Sequence, residues 1–122
     1  MSWWAKLEDP LTGDALDVES HSDGGTYAAG GTTEAELNVT CNYGGHFRTA
    51  WPEDIEGAGV LVRMLDGKTG EEAYPLLAKA VKKLGTDRGN DYWESTPGNA
   101  GYALAIMAGW SAQHPDGVWR IS

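Results

Sequence analysis

Positive charge is scarce in this sequence: its 122 residues carry nine Lys and Arg against eighteen Asp and Glu, for a formal net charge of −9. Such a chain repels phosphate backbones, which excludes nucleic acid as an expected partner. Cysteine is scarcer still. Cys41 stands alone, so one chain can build neither an internal disulfide nor a cysteine-based zinc cage, and a reducing compartment suits it. No run approaches the roughly 20 apolar residues of a membrane span. Met1-Ser2-Trp3-Trp4-Ala5-Lys6 lacks the apolar stretch of a signal peptide, so the expectation is a cytoplasmic protein with no membrane association.

Groups for catalysis are few as well. His21, His46 and His114 are widely separated with no metal-ligand spacing, and the glycine-rich stretch GGTYAAGG lacks the Lys and Ser/Thr of a phosphate loop. There is no GxSxG elbow. No catalytic residue, metal or cofactor is therefore assigned, and a non-enzyme is expected. An enzyme would require a pocket holding His46 or His114 beside a carboxylate. The negative charge is unevenly placed: residues 1–60 hold eleven acids against Lys6 and Arg48, whereas residues 61–122 balance seven against seven. This first half reads as a solvated face or, more sharply, as a surface that mimics nucleic acid or attracts a basic protein.

What is present suits one α+β domain over 1–122. At 41% hydrophobic with six tryptophans, it can bury roughly two-thirds of its unfolded surface. Strands are predicted near 2–8, 15–20, 35–43 and 118–121 in one small antiparallel sheet, the first two forming a hairpin. In 35–43, Leu37, Val39, Cys41 and Tyr43 alternate with Glu36, Asn38, Thr40 and Asn42, giving one core face and one wet face. Cys41 then reads as a small buried hydrophobe. A loop over 44–52, a short helical turn near Pro52 to Ile55 and a helix within 58–66 follow. Thr69 and Glu72 form a capping-box pattern ahead of a helix near 70–84, with Tyr74, Leu77, Ala78, Val81 and Leu84 inward and Lys79, Lys82 and Lys83 outward. Gly85 suits a left-handed cap, and Pro75 is a flaw that costs up to ~3 kcal/mol unless the helix starts late or bends. Thr96 as N-cap and Pro97 at the first position open a helix near 97–113, which is uncharged from 100 to 112 and so reads as enclosed by protein.

Two segments could hold a ligand. Tyr92-Trp93-Glu94-Ser95-Thr96-Pro97-Gly98-Asn99 sets two aromatic rings before a helix start with free N–H groups, a hydroxyl cap and a glycine, so Tyr92, Trp93, Thr96, Gly98 and Asn99 suit a small nucleotide-like ligand, with Arg88 or Lys68 supplying charge. The bland reading is that Thr96 caps its own helix and Trp93 fills core. Asn42 to Arg48 is the second segment, with Tyr43 and His46 on flexible glycines, or simply a structural turn. Trp51, Trp93, Trp110 and Trp119 lie in or beside apolar runs and read as core. Trp3 and Trp4 point to opposite faces of any strand, placing at least one at the surface or in a subunit interface, which leaves a homo-oligomer open.

Three blocks, GGTYAAGGTTEAELNVTCNYG, GKTGEEAYPLLAKAVKKLG and YWESTPGNAGYALAIMAGWSAQHPDGVW, together resemble small proteins of unknown function encoded by bacteriophages and related mobile elements. Cys41 to Gly45 departs from that pattern, which would place another aromatic residue and a serine there. The resemblance implies a bacterial host cell and carries over no catalytic residue. The expected function is a phage accessory protein, for host takeover or anti-defence, acting by stoichiometric binding of a bacterial protein. The alternative is a sink for a nucleotide-type ligand at the Tyr92–Asn99 helix start.

Overall fold

A computed structural model describes residues 2–21, 32–54, 59–91 and 94–122. Its elements are β1 (Ser2–Glu8), β2 (Asp17–His21), β3 (Thr32–Glu34), β4 (Glu36–Thr40), a 3-10 turn at Cys41–Tyr43, α1 (Gly44–Ala50), α2 (Val60–Leu65), α3 (Gly70–Leu84), α4 (Pro97–Gln113) and β5 (Val118–Ile121). The α+β class expected from the sequence holds. No helix among the described residues is long and apolar enough to cross a membrane.

Local chemistry sets the two long helices. The Thr69 hydroxyl accepts from the Glu72 amide while the Glu72 carboxylate accepts from the Thr69 amide, closing the capping box that starts α3. Those bonds hold the Glu72 carboxyl below the usual range. Thr96 caps α4 by accepting from the Asn99 amide, and Pro97 occupies the first helical position. Pro75 lies within α3, so the helix neither starts late nor stops there. The inward stripe of α3 is Ala73, Leu77 and Ala80, whereas Tyr74, predicted inward, is 45% exposed. Gly85 has φ of +75° but ψ of −178°, so it is not the left-handed helical cap expected.

The long helices run antiparallel, and glycine lets them touch at both ends. A methyl on Gly70 would strike the carbonyls of Ser111 and His114, and one on Gly101 would strike the carbonyl of Gly85. The enclosure expected for α4 is correspondingly close. Ala100, Ala103, Leu104, Met107 and Trp110 are buried, and only Gly109, Ala112 and Gln113 of the 100–113 stretch are exposed.

Two sheets form where one was predicted. The three-stranded sheet has the order β4-β1-β5, all antiparallel. Its inner face carries Trp3, Ala5, Leu7, Leu37, Val39, Trp119 and Ile121, all buried in one hydrophobic cluster. Trp4 points outward, 42% exposed. The Trp119 indole donates to the Ser111 hydroxyl at 3.0 Å and its ring stacks on Trp110, tying β5 to α4. The strand expected near 15–20 leaves this sheet. The predicted hairpin with β1 is confined to its turn, an antiparallel bridge from Ala15 to Glu8 with the Leu16 amide donating to the Leu7 carbonyl, after which the chain becomes β2 and pairs with β3.

The strand predicted over 35–43 stops at Thr40, because the Thr40 hydroxyl accepts from the Asn42 amide and turns the chain. Its supposed wet face is also covered: Asn38 and Thr40 are 7% and 5% exposed. Residues 44–50 are helix rather than loop. Glycine-glycine disfavours a helix start by about 1 kcal/mol per residue, but Phe47 and Ala50 reach the core only from helical geometry, and both are fully buried. Near Pro52 the chain makes a turn closed by the Asp54 amide on the Trp51 carbonyl. Ile55 lies outside the described residues, as does the apolar run Thr26 to Ala29.

Candidate functional site

The start of α4 and the turn into α1 meet. The Ser95 hydroxyl donates to the Asn42 carbonyl at 2.9 Å, and its oxygen lies 3.2 Å from His46 Nε2. The two segments singled out in the sequence are thus one place in the fold. Tyr92 and Trp93 lie outside the described residues.

Asn99 holds this place together. It is 1% exposed, its Oδ1 accepts from the Gly89 amide at 2.9 Å, and its Nδ2 donates to the carbonyls of Asp91 at 2.8 Å and Glu94 at 2.9 Å. Both amide protons are therefore committed to the chain's own loop. Thr96 is equally committed, to the Asn99 amide. Gly98 is pressed against the Asp87 backbone, where a side chain would collide. Loop 85–91 thus lies over the first turns of α4, and it brings Asp87 and Asp91 with it. Arg88, a candidate for holding an anion, sits 4.5 Å over the Tyr102 ring.

Tyr43 is wholly buried, edge-on to Phe47 with centroids 6.1 Å apart. Burial, and secondarily the negative charge of Asp91, push its hydroxyl up to about 12. An unfolded tyrosine titrates near 10. Between these values the unfolded chain sheds a proton that the folded chain keeps, so stability falls as pH rises through this window. Tyr43→Phe is expected to flatten that decline, as read from urea midpoints at pH 9, 10 and 11. Equal slopes for the two proteins would refute the assignment.

As placed here, the Ser95–His46 pair is not aligned for nucleophilic catalysis. A hydroxyl has one proton, and here it goes to Asn42. His46 Nε2 then meets an oxygen lone pair and must itself donate, whereas a general base needs its own lone pair at that point. His114 Nε2 contacts the Asp17 carbonyl at 2.7 Å, a backbone group rather than a carboxylate. Among the described residues no three His, Cys, Asp or Glu side chains come together as a metal site would require.

Sequence reasoning missed a second feature, the ribbon formed by β2 and β3. Asp17 and Glu34 stand directly opposite each other across it, both exposed, with exposed Asp14 and Glu19 nearby in the chain. Like charges placed so are destabilising by roughly 0.2–1 kcal/mol. From Leu7 to Phe47 there is no Lys or Arg, against Glu8, Asp9, Asp14, Asp17, Glu19, Asp23, Glu34 and Glu36. Three acids elsewhere are neutralised: Glu8 by Lys6 and Arg120, Glu53 by Lys79, and Asp54 by a two-pronged pair with Arg63 at 2.7 and 2.8 Å. Among the described residues, no cation pairs with Asp14, Asp17, Glu19 or Glu34. The alternation in 15–20 and the missing basic residues were visible in the sequence; the register that sets Asp17 against Glu34 was not.

Comparison of the chain with protein-family models, with curated proteins and with solved structures gave no match.

Proposed function

We propose that this protein acts without catalysing a reaction, by stoichiometric binding of a bacterial host protein, and that the β2–β3 ribbon meets a basic surface of that partner. The observation that carries this reading is the exposed Asp17–Glu34 pair. A fold gains nothing for itself from two carboxylates facing each other, and breaks in local rules are expected at functional or strained sites. A basic partner would convert the repulsion into attraction and speed encounter through the field of the ribbon. A role as a phage accessory protein, for host takeover or anti-defence, fits such a mode of action. A nucleotide-type ligand at the start of α4 is the weaker reading, because Thr96 and Asn99 already spend their polar groups on the chain itself.

The double change Asp17→Asn with Glu34→Gln separates the two roles of the pair. It is expected to raise the stability of the free protein by about 0.5 kcal/mol, since cross-strand repulsion is removed. At the same time it should lower retention of a host protein from bacterial lysate at least tenfold, and wild-type retention should itself fall steeply between 50 and 300 mM salt. Retention that is indifferent to both the charges and the salt would overturn the proposal.

A further inference from the structure

We infer that Leu11, at the tip of the turn between β1 and β2, is an apolar anchor that enters a pocket on the bound protein, and that this pocket is rimmed by Lys or Arg. The inference rests on the reading that the protein works by binding another protein, and it names a contact beside the β2–β3 ribbon. Leu11 is 93% exposed. Among the described residues the other large exposed apolar side chains, Trp4 at 42% and Tyr74 at 45%, keep more than half their surface against the protein. A single apolar residue at a surface is common and signals nothing by itself. Leu11 differs in being held still.

The turn is built to fix its tip. The Asp9 carboxylate accepts from the amides of Leu11 at 2.7 Å and Thr12 at 3.3 Å, and the Asp14 amide donates to the Thr12 hydroxyl at 3.2 Å. The Gly13 amide donates to the Asp9 carbonyl and the Asp9 amide to the Asp14 carbonyl, both at 2.8 Å. Pro10 locks its own φ, Gly13 takes the left-handed φ of +76° that favours glycine, and the Glu8–Ala15 bridge closes the base. A loop already ordered in this way loses little conformational freedom when its tip docks. The surroundings specify the rim of the pocket. Asp9 and Asp14 flank the tip, Asp14 and Asp17 are exposed, and no Lys or Arg occurs from Leu7 to Phe47. A surface that takes the leucine therefore meets carboxylates around it, and a basic rim is the one these attract. A second copy of this chain, with the same acids and a net charge of −9, is repelled instead.

The test compares Leu11→Ser, Leu11→Met and the double variant Asp17→Asn with Glu34→Gln for binding to the host protein that the wild-type chain retains from bacterial lysate. Leu11→Ser should weaken binding about tenfold or more, the ratio expected from burying one leucine side chain. The factor should be the same at 50 and 150 mM salt, because screening acts on charges and not on apolar burial, whereas the factor for the double variant should shrink. Leu11→Met, which keeps the apolar volume, should stay within roughly threefold of wild type. Both Leu11 variants should melt as wild type does, since the side chain is 93% exposed. Loss of binding by the double variant with none by Leu11→Ser overturns the inference and leaves the ribbon reading standing. A Leu11→Ser defect that vanishes at the higher salt, or a purified chain that dimerises through Leu11, also overturns it. A wild-type chain that retains no host protein sinks both.

Discussion

Asn99→Ala is expected to remove about 3 kcal/mol of folding free energy. Three hydrogen bonds are lost together, each worth ~1 kcal/mol net, and they tie Gly89, Asp91 and Glu94 to the start of α4. The freed carbonyls of Asp91 and Glu94 belong to exposed residues and can rehydrate, which keeps the loss near the sum of net bond values. Asn99→Asp is the sharper variant. It is nearly isosteric, yet it sets a carboxylate against those two carbonyl oxygens and should cost at least as much as alanine. Urea midpoints measure both, and amide exchange should rise in 86–94 before the rest of the chain opens. An alanine variant within 0.5 kcal/mol of wild type would show that Asn99 does not organise this end of the molecule.

Two glycines of α4 should respond to the same substitution with opposite signs. Glycine to alanine inside a helix normally gains up to ~1 kcal/mol. At Gly109, where an added carbon meets nothing within 4 Å, that gain should appear. At Gly101 the added carbon runs into the Gly85 carbonyl and lies 3.1 Å from the Leu84 side chain. Backbone cannot swing aside as a flexible side chain does, so α3 and α4 must separate. The cost of such overpacking, about 1–3 kcal/mol or more, outweighs the helical gain. Thermal melts of the two single variants decide the matter. Destabilisation at both positions, or at neither, would contradict the close approach of the helices.

The parts of the fold legible in the sequence are those that local chemistry decides. The Thr69–Glu72 box and the Thr96–Pro97 start each act within a few residues, and both long helices lie where those signals place them. What escaped depends on distant partners. Helix α1 forms against the preference of Gly44-Gly45 because Phe47 has a core to fill, and nothing local says so. β2 carries a clear strand pattern, but its partner is β3 rather than β1, a choice made by pairing across a long connection. The meeting of Ser95 with Asn42 joins groups 53 residues apart, beyond any periodicity argument. Thr96, Gly98 and Asn99 were readable as a helix start with polar groups to spare, whereas only the packing of loop 85–91 reveals that those groups are spent.

Hydrogen–deuterium exchange of the free protein and of its complex with the captured host protein tests the central claim most directly. Protection should concentrate at Asp17–His21 and Thr32–Glu34, with the start of α4 unchanged. Protection confined to 41–48 and 94–101, with the ribbon exchanging as in the free protein, would contradict it.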